Sequence, residues 1–106
     1  MVTTTIDVRL VPATQYVTPL TATTVTVLST GAINLMINPA GTIAALTITM
    51  PSGPSDGDMV RIASTQIITV LTMNGGTIVL PLTTMALGAF AAYVFSSNSS
   101  NWLRIG

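Results

Sequence analysis

Apolar and polar side chains alternate with a period of two along most of this chain, the pattern of strands with one buried face. Ile6, Val8 and Leu10 alternate with Asp7 and Arg9, and Val25 and Val27 alternate with Thr24 and Thr26. Ile33, Leu35 and Ile37 share one face of a third segment, while Leu46, Ile48 and Met50 alternate with Thr47 and Thr49. Val60 and Ile62 stand opposite Arg61, and segments 66–73 and 77–80 are rich in β-branched residues. Phe90, Ala92 and Val94 alternate with Ala91, Tyr93 and Phe95, and the chain closes on Trp102-Leu-Arg-Ile105. Thr, Val and Ile suit a pleated, half-buried surface. Helical periodicity is nearly absent. The exception is Thr83 to Ala92, where Met85, Leu87 and Ala89 fit a short turn of helix.

Turn residues separate the runs. Asn38-Pro-Ala-Gly41 and Asn74-Gly-Gly76 read as hairpin turns, because Gly and Asn tolerate positive φ. Pro51-Ser-Gly-Pro-Ser-Asp-Gly57 is a loop, and Ser96-Ser-Asn-Ser-Ser-Asn101 joins the last two strands. About eight short strands at such spacing predict one all-β domain over residues 1–106, a compact antiparallel β-sandwich or barrel-like fold. Residues 1–12 read as an arm or strand at its N-terminal end. Asn38-Pro-Ala-Gly-Thr-Ile43 echoes Asn74-Gly-Gly-Thr-Ile78, which two hairpins with the same turn residues explain. Two copies fall short of the three or so stacked repeats a solenoid needs.

Composition narrows the chemistry. The chain has 106 residues, with three Lys plus Arg, three Asp plus Glu, no His and no Cys. The cations are Arg9, Arg61 and Arg104, and the anions are Asp7, Asp56 and Asp58. Zinc and iron–sulfur sites lack their Cys and His ligands, and Ser–His and Cys–His nucleophile systems lack the imidazole. Schiff-base chemistry has no lysine. A basic nucleic-acid footprint does not arise from three arginines at zero net charge. The chain therefore reads as a non-enzyme with no cofactor and no nucleic-acid partner.

The 46 uncharged residues between Arg9 and Asp56 are interrupted every few positions by Thr, Ser, Asn, Gly or Pro, so they predict no membrane span. The N-terminus shows no secretory-signal pattern. Only 6% of residues are charged, against about 25–35% on the surface of a designed soluble domain. So few charges predict that much of the surface is covered by other protein, in a homo-oligomer.

Few residues suggest a site. Asp56-Gly-Asp58 is the single acidic cluster, and it reads as a loop entering a strand, with Asp58 and Arg61 a weak surface pair. Ile6, Asp7, Val8, Arg9, Leu10 and Arg104 are candidates for partner contact, since arginine is favoured at interfaces and the alternation suits an added strand. Tyr93, Phe95 and Trp102 flank the final turn, either as a cross-strand aromatic pair or, in a second reading, as a stacking surface for glycan. Thr-x-Thr units at Thr3–Thr5, Thr21–Thr23, Thr24–Thr26 and Thr47–Thr49 show no common register along the sequence. They read as outward-facing strand threonines rather than an ice-binding array. The six methionines read as core filler, with Met73 and Met85 as candidates for an interface.

The C-terminal part resembles a known group. Leu46-Thr-Ile-Thr-Met-Pro51, Asp56-Gly-Asp-Met-Val-Arg-Ile-Ala-Ser64 and Ile67-Ile-Thr-Val-Leu-Thr72 are similar to small, Thr-rich β-domains of tailed-bacteriophage virion proteins. The ending Tyr93-Val-Phe-Ser-Ser-Asn-Ser-Ser-Asn-Trp102-Leu-Arg-Ile105 resembles their closing aromatic hairpin. The resemblance covers about residues 43–106. It implies a capsid decoration (cement) protein or a head or tail fibre domain, commonly trimeric, with no catalytic residues. The expected function is accordingly a homotrimer on the virion capsid surface, bound to the major capsid protein and stabilising the shell. The alternative is a fibre or receptor-binding module that recognises cell-surface glycan.

Overall fold

The computed structural model describes residues 12–29 and 31–106. Eight strands form within them: β1 (Ala13–Val17), β2 (Thr23–Thr26), β3 (Ala32–Ile37), β4 (Ile43–Thr49), β5 (Met59–Ser64), β6 (Ile68–Asn74), β7 (Phe90–Ser96) and β8 (Asn101–Arg104). They lie in two sheets, one of order β1-β3-β5-β7-β8 and one of order β2-β4-β6. The fold is all-β, as the alternation predicts, and the sheets do not close into a barrel. The expected arm, residues 1–12, lies outside the described residues except for Pro12.

The strand directions correct the antiparallel expectation. β1, β3 and β5 run parallel to one another, as do β2, β4 and β6. Only β5–β7 and β7–β8 pair antiparallel. The chain coils, laying one strand in the first sheet and the next in the second, three times over. Asn38–Gly41 is therefore a corner between sheets rather than a hairpin turn, and Asn74–Gly76 leads out of β6 instead of back along it. Period-two alternation is the same for a parallel and an antiparallel strand, so it reports the buried face but not the partner.

Register stacks like on like inside the coil. Ile33 pairs with Val60, Leu35 with Ile62 and Ile37 with Ser64, all buried. Leu46 pairs with Leu71 in the second sheet, and Val25 with Ile48. β7 adds Tyr93 beside Val60 and Ala91 beside Ile62. Ser64, polar and buried beside this core, donates its hydroxyl to the Gln66 carbonyl at 2.7 Å. Full burial of each large aliphatic side chain contributes about 1.5–3 kcal/mol.

The coil has a finished end. Trp102 N–H donates to Thr77 O at 2.9 Å and Val79 N–H to Trp102 O at 2.8 Å, which lays residues 77–79 along β8. Leu71 N–H donates to Thr83 O at 2.9 Å, and Met85 and Ile68 exchange backbone bonds of 3.0 and 2.9 Å along β6. Met85 is buried, and Thr83 to Ala92 holds this bridge, a turn and the start of β7, not the expected turn of helix. Met73 is half-buried, its sulfur accepting the Leu82 N–H at 3.3 Å. The interface expectation is corrected for Met85, which lies in the core, while Met73 packs against the core with part of its surface open.

The chain is tightest where it leaves β6. Gly75 sits at φ +94°, and a Cβ there would lie 2.8 Å from Met50 N and 2.9 Å from Met50 O. Gly57 has a similar φ of +85° with nothing within 4 Å. Both positions disfavour an L side chain, but only Gly75 adds a clash with backbone. Gly57→Ala is expected to cost about 1–2 kcal/mol and Gly75→Ala roughly 2–4 kcal/mol. Urea unfolding of the two variants checks that order, and equal losses would show the close approach to be inconsequential.

Candidate functional site

Both loop carboxylates serve their own backbone. Asp58 accepts the Ser55 N–H at 2.9 Å, closing the turn before β5. Asp56 accepts the Ser97 N–H at 2.9 Å, tying this loop to the one that follows β7. Gly57 N–H to Phe95 O and Phe95 N–H to Asp58 O, both 2.8 Å, complete the junction. The acidic pair is thus a clamp between two loops, as a loop entering a strand implies.

The aromatic trio does not form a glycan platform. Tyr93 and Trp102 are 0% and 1% exposed, and both belong to the core. Phe95 is half-buried and meets Trp102 edge-on, with ring centroids 5.4 Å apart and planes at 65°. The cross-strand aromatic pair therefore exists, while the second reading loses its stacking surface. Rings at inward positions of β7 and β8 face the other sheet, which closes Tyr93 and Trp102 to stacking and leaves Phe95 alone partly open. The Tyr93 hydroxyl donates to the Leu80 carbonyl at 2.8 Å, pinning residues 79–81 to the core. Burial raises the Tyr93 pKa above its ordinary value, against smaller opposing effects of the Arg104 charge and the Leu82 backbone.

Of the expected partner contacts, Ile6, Asp7, Val8, Arg9 and Leu10 lie outside the described residues. Arg104 is exposed at the end of β8, its Nε donating to the Gly106 carbonyl at 2.9 Å.

Two outer faces remain, and they differ in chemistry. On the three-stranded sheet, Thr24, Thr47 and Thr72 align across the strands, and beside them Thr26, Thr49 and Asn74. The coil supplies a register that the sequence spacing conceals. The Thr49 hydroxyl donates to Asn74 Oδ1 at 2.7 Å, so this polar face partly satisfies itself.

The five-stranded sheet presents an apolar face instead. Tyr16, Met36, Ala63 and Phe90 form one row across β1, β3, β5 and β7. Ala32, Met59, Val94 and Leu103 form another across β3, β5, β7 and β8. Asn34, Arg61 and Ala92 lie between the two rows. Tyr16 is 78% exposed and Phe90 73%. An apolar groove of about 340 Å³ runs over this face, lined by Asn34, Met36, Arg61, Ala63, Phe90 and Ala92 among others. Sequence reasoning missed this face by treating every second residue as solvent-facing. The signal was there, because Met36, Ala63, Phe90 and Ala92 occupy the positions where polar residues belong. No family model matches the chain, and no curated protein matches it.

The buried phenol predicts an alkaline limit. A tyrosine whose folded pKa lies above its unfolded value of about 10 contributes stability that is complete below pH 10 and lost as pH rises through the folded value. Tyr93→Phe is expected to cost about 0.5–1.5 kcal/mol at pH 8 through the lost Leu80 bond. The gap to wild type is then expected to narrow as the pH rises above about 10, as measured by urea unfolding. A constant gap would show that Tyr93 does not ionise against the fold.

Proposed function

We propose that this chain is a non-catalytic structural protein of a virion, a capsid decoration protein that binds the head surface as a homotrimer. The observation that carries the reading is the exposed apolar face of the five-stranded sheet. Parallel strands are normally covered on both faces, and among the described residues β1, β3 and β5 have only one face covered. A contiguous apolar face of this kind marks a protein contact. The 6% charge content fits a surface that works against other protein rather than against water. Both described carboxylates are engaged with loop backbone, which fits a structural role better than an acid–base one. The β7–β8 hairpin, with Trp102 turned inward, fits the closing aromatic hairpin of the phage domains that the sequence resembles.

The major capsid protein is the partner, and the capsid surface is the location, in this reading. The mechanism is burial of apolar surface at sites repeated by the shell's symmetry. High multiplicity offsets modest affinity at each site. Wild-type protein is expected to co-sediment saturably with empty capsids of its source virus and to raise their disruption temperature. Failure to co-sediment at micromolar concentration, with the protein folded, would overturn the decoration reading.

A further inference from the structure

We propose that Gln15 is a stopper that closes the open end of the coil, its amide standing in for a strand that would otherwise add to β2. The strand it keeps out is β2 of a second copy of this chain. The inference rests on the coil geometry alone and is independent of the capsid reading.

The two ends of the coil differ. Residues 77–79 lie along β8 and residues 83–85 along β6, so that end is covered. At the other end, β1 and β2 are the outermost strands among the described residues. An outermost strand presents a row of backbone groups on which another strand can pair. Lysine, proline and inward-pointing charge are the usual guards, and neither Ala13–Val17 nor Thr23–Thr26 carries any of them.

One side chain guards the β2 edge instead. Val27 N–H donates to Thr49 O at 2.9 Å, toward β4. Successive residues of an extended chain turn their backbone groups to opposite sides, so Thr26 O and Leu28 N–H point off the free edge. The Gln15 amide takes both. Its nitrogen donates to Thr26 O at 3.0 Å, and its oxygen accepts the Leu28 N–H at 3.1 Å. A residue of a parallel neighbour makes the same two bonds with its own N–H and C=O. The position is otherwise unsuited to an amide. Gln15 pairs with Leu35, and Leu35 with Ile62, both buried, so the first turn has glutamine where the next two have an aliphatic side chain. Packing alone asks for leucine there, and the edge bonds account for glutamine. Because the far end is covered, a copy without the stopper can meet only another open end. Two such ends pair about a two-fold axis, β2 antiparallel to β2, and the contact closes on itself instead of growing into a fibre.

Sedimentation velocity on the full chain tests it with Gln15→Leu, Gln15→Asn and, as a control, Tyr93→Phe. Leucine continues the Leu35–Ile62 row, so Gln15→Leu is expected to fold, which urea unfolding verifies. Gln15→Asn keeps the amide but shortens its reach by one methylene, and it breaks the same two bonds. Both are expected to form a species larger than wild type does, with an association constant at least about 10-fold higher. Tyr93→Phe loses a hydrogen bond elsewhere, so it shows what lowered stability alone does to association. Adding Thr24→Lys to Gln15→Leu places a charge on the same edge and is expected to restore the wild-type mass. Gln15 variants that associate no more than Tyr93→Phe would overturn the proposal and leave Gln15 a brace between the sheets. Association that Thr24→Lys leaves unchanged would overturn it as well, by moving the contact off β2.

Discussion

The parallel ladder through β3 governs this molecule. β3 is hydrogen-bonded to β1 on one side and β5 on the other, and both pairings are parallel. A parallel neighbour cannot be reached by a tight turn, so the chain must leave the sheet and return. It returns through the second sheet, and β2, β4 and β6 are laid down as a consequence. The core is whatever this winding encloses. Ile33 over Val60 and Leu35 over Ile62 are stacked because successive turns repeat the same inward positions.

The coil also explains how a chain with so few charges keeps its polar groups in order. Threonine serves on the outside of the three-stranded sheet, where stacked turns bring Thr24, Thr47 and Thr72 into line. At the corners, single side chains take the backbone groups that the ladders leave over. Thr23 donates to the Leu20 carbonyl at 2.6 Å, and Gln15 bridges to Thr26 O and Leu28 N at 3.0 and 3.1 Å. The acidic clamp of Asp56 and Asp58 does the same between loops. Among the described residues no buried side-chain nitrogen or oxygen lacks a partner.

Most strand positions and the core were legible in the sequence, because burial of one face writes a period of two that survives any topology; β1 (Ala13–Val17) was not read, and residues 77–80 make a bridge to Trp102 instead of a strand. Val25, Ile33, Leu35, Ile48, Val60 and Ile62 lie inside as their alternation implies. Direction was not legible. Asn38-Pro-Ala-Gly41 has the residues of a hairpin turn, and the same residues also make a corner between sheets. The Thr-x-Thr units look unregistered along the sequence because the connections between turns differ in length, and only the ladder brings them into line. Tyr93 and Trp102 carried a functional reading on residue type alone, and their inward parity on β7 and β8 returns them to the core. The apolar face escaped notice for a related reason. Alternation between two apolar sets, as in Phe90-Ala-Ala-Tyr-Val-Phe95, looks like a single strand signal until both faces are counted.

The winding that builds the core also sets how the chain must fold. Ladders such as Ile33 with Val60 and Leu46 with Leu71 join residues far apart along the chain, and each requires a whole turn of coil to close first. The adjacent-strand hairpin is β7–β8, at the far end, and residues 77–79 and 83–85 finish the edges beside β8 and β6. Mean contact separation is therefore high, and folding belongs to the slow regime of non-local β topologies. A ribosome makes the β7–β8 hairpin only after the coil that it completes. Until then the earlier turns wait with their outer edges bare, and the five-stranded sheet is whole only when these strands dock.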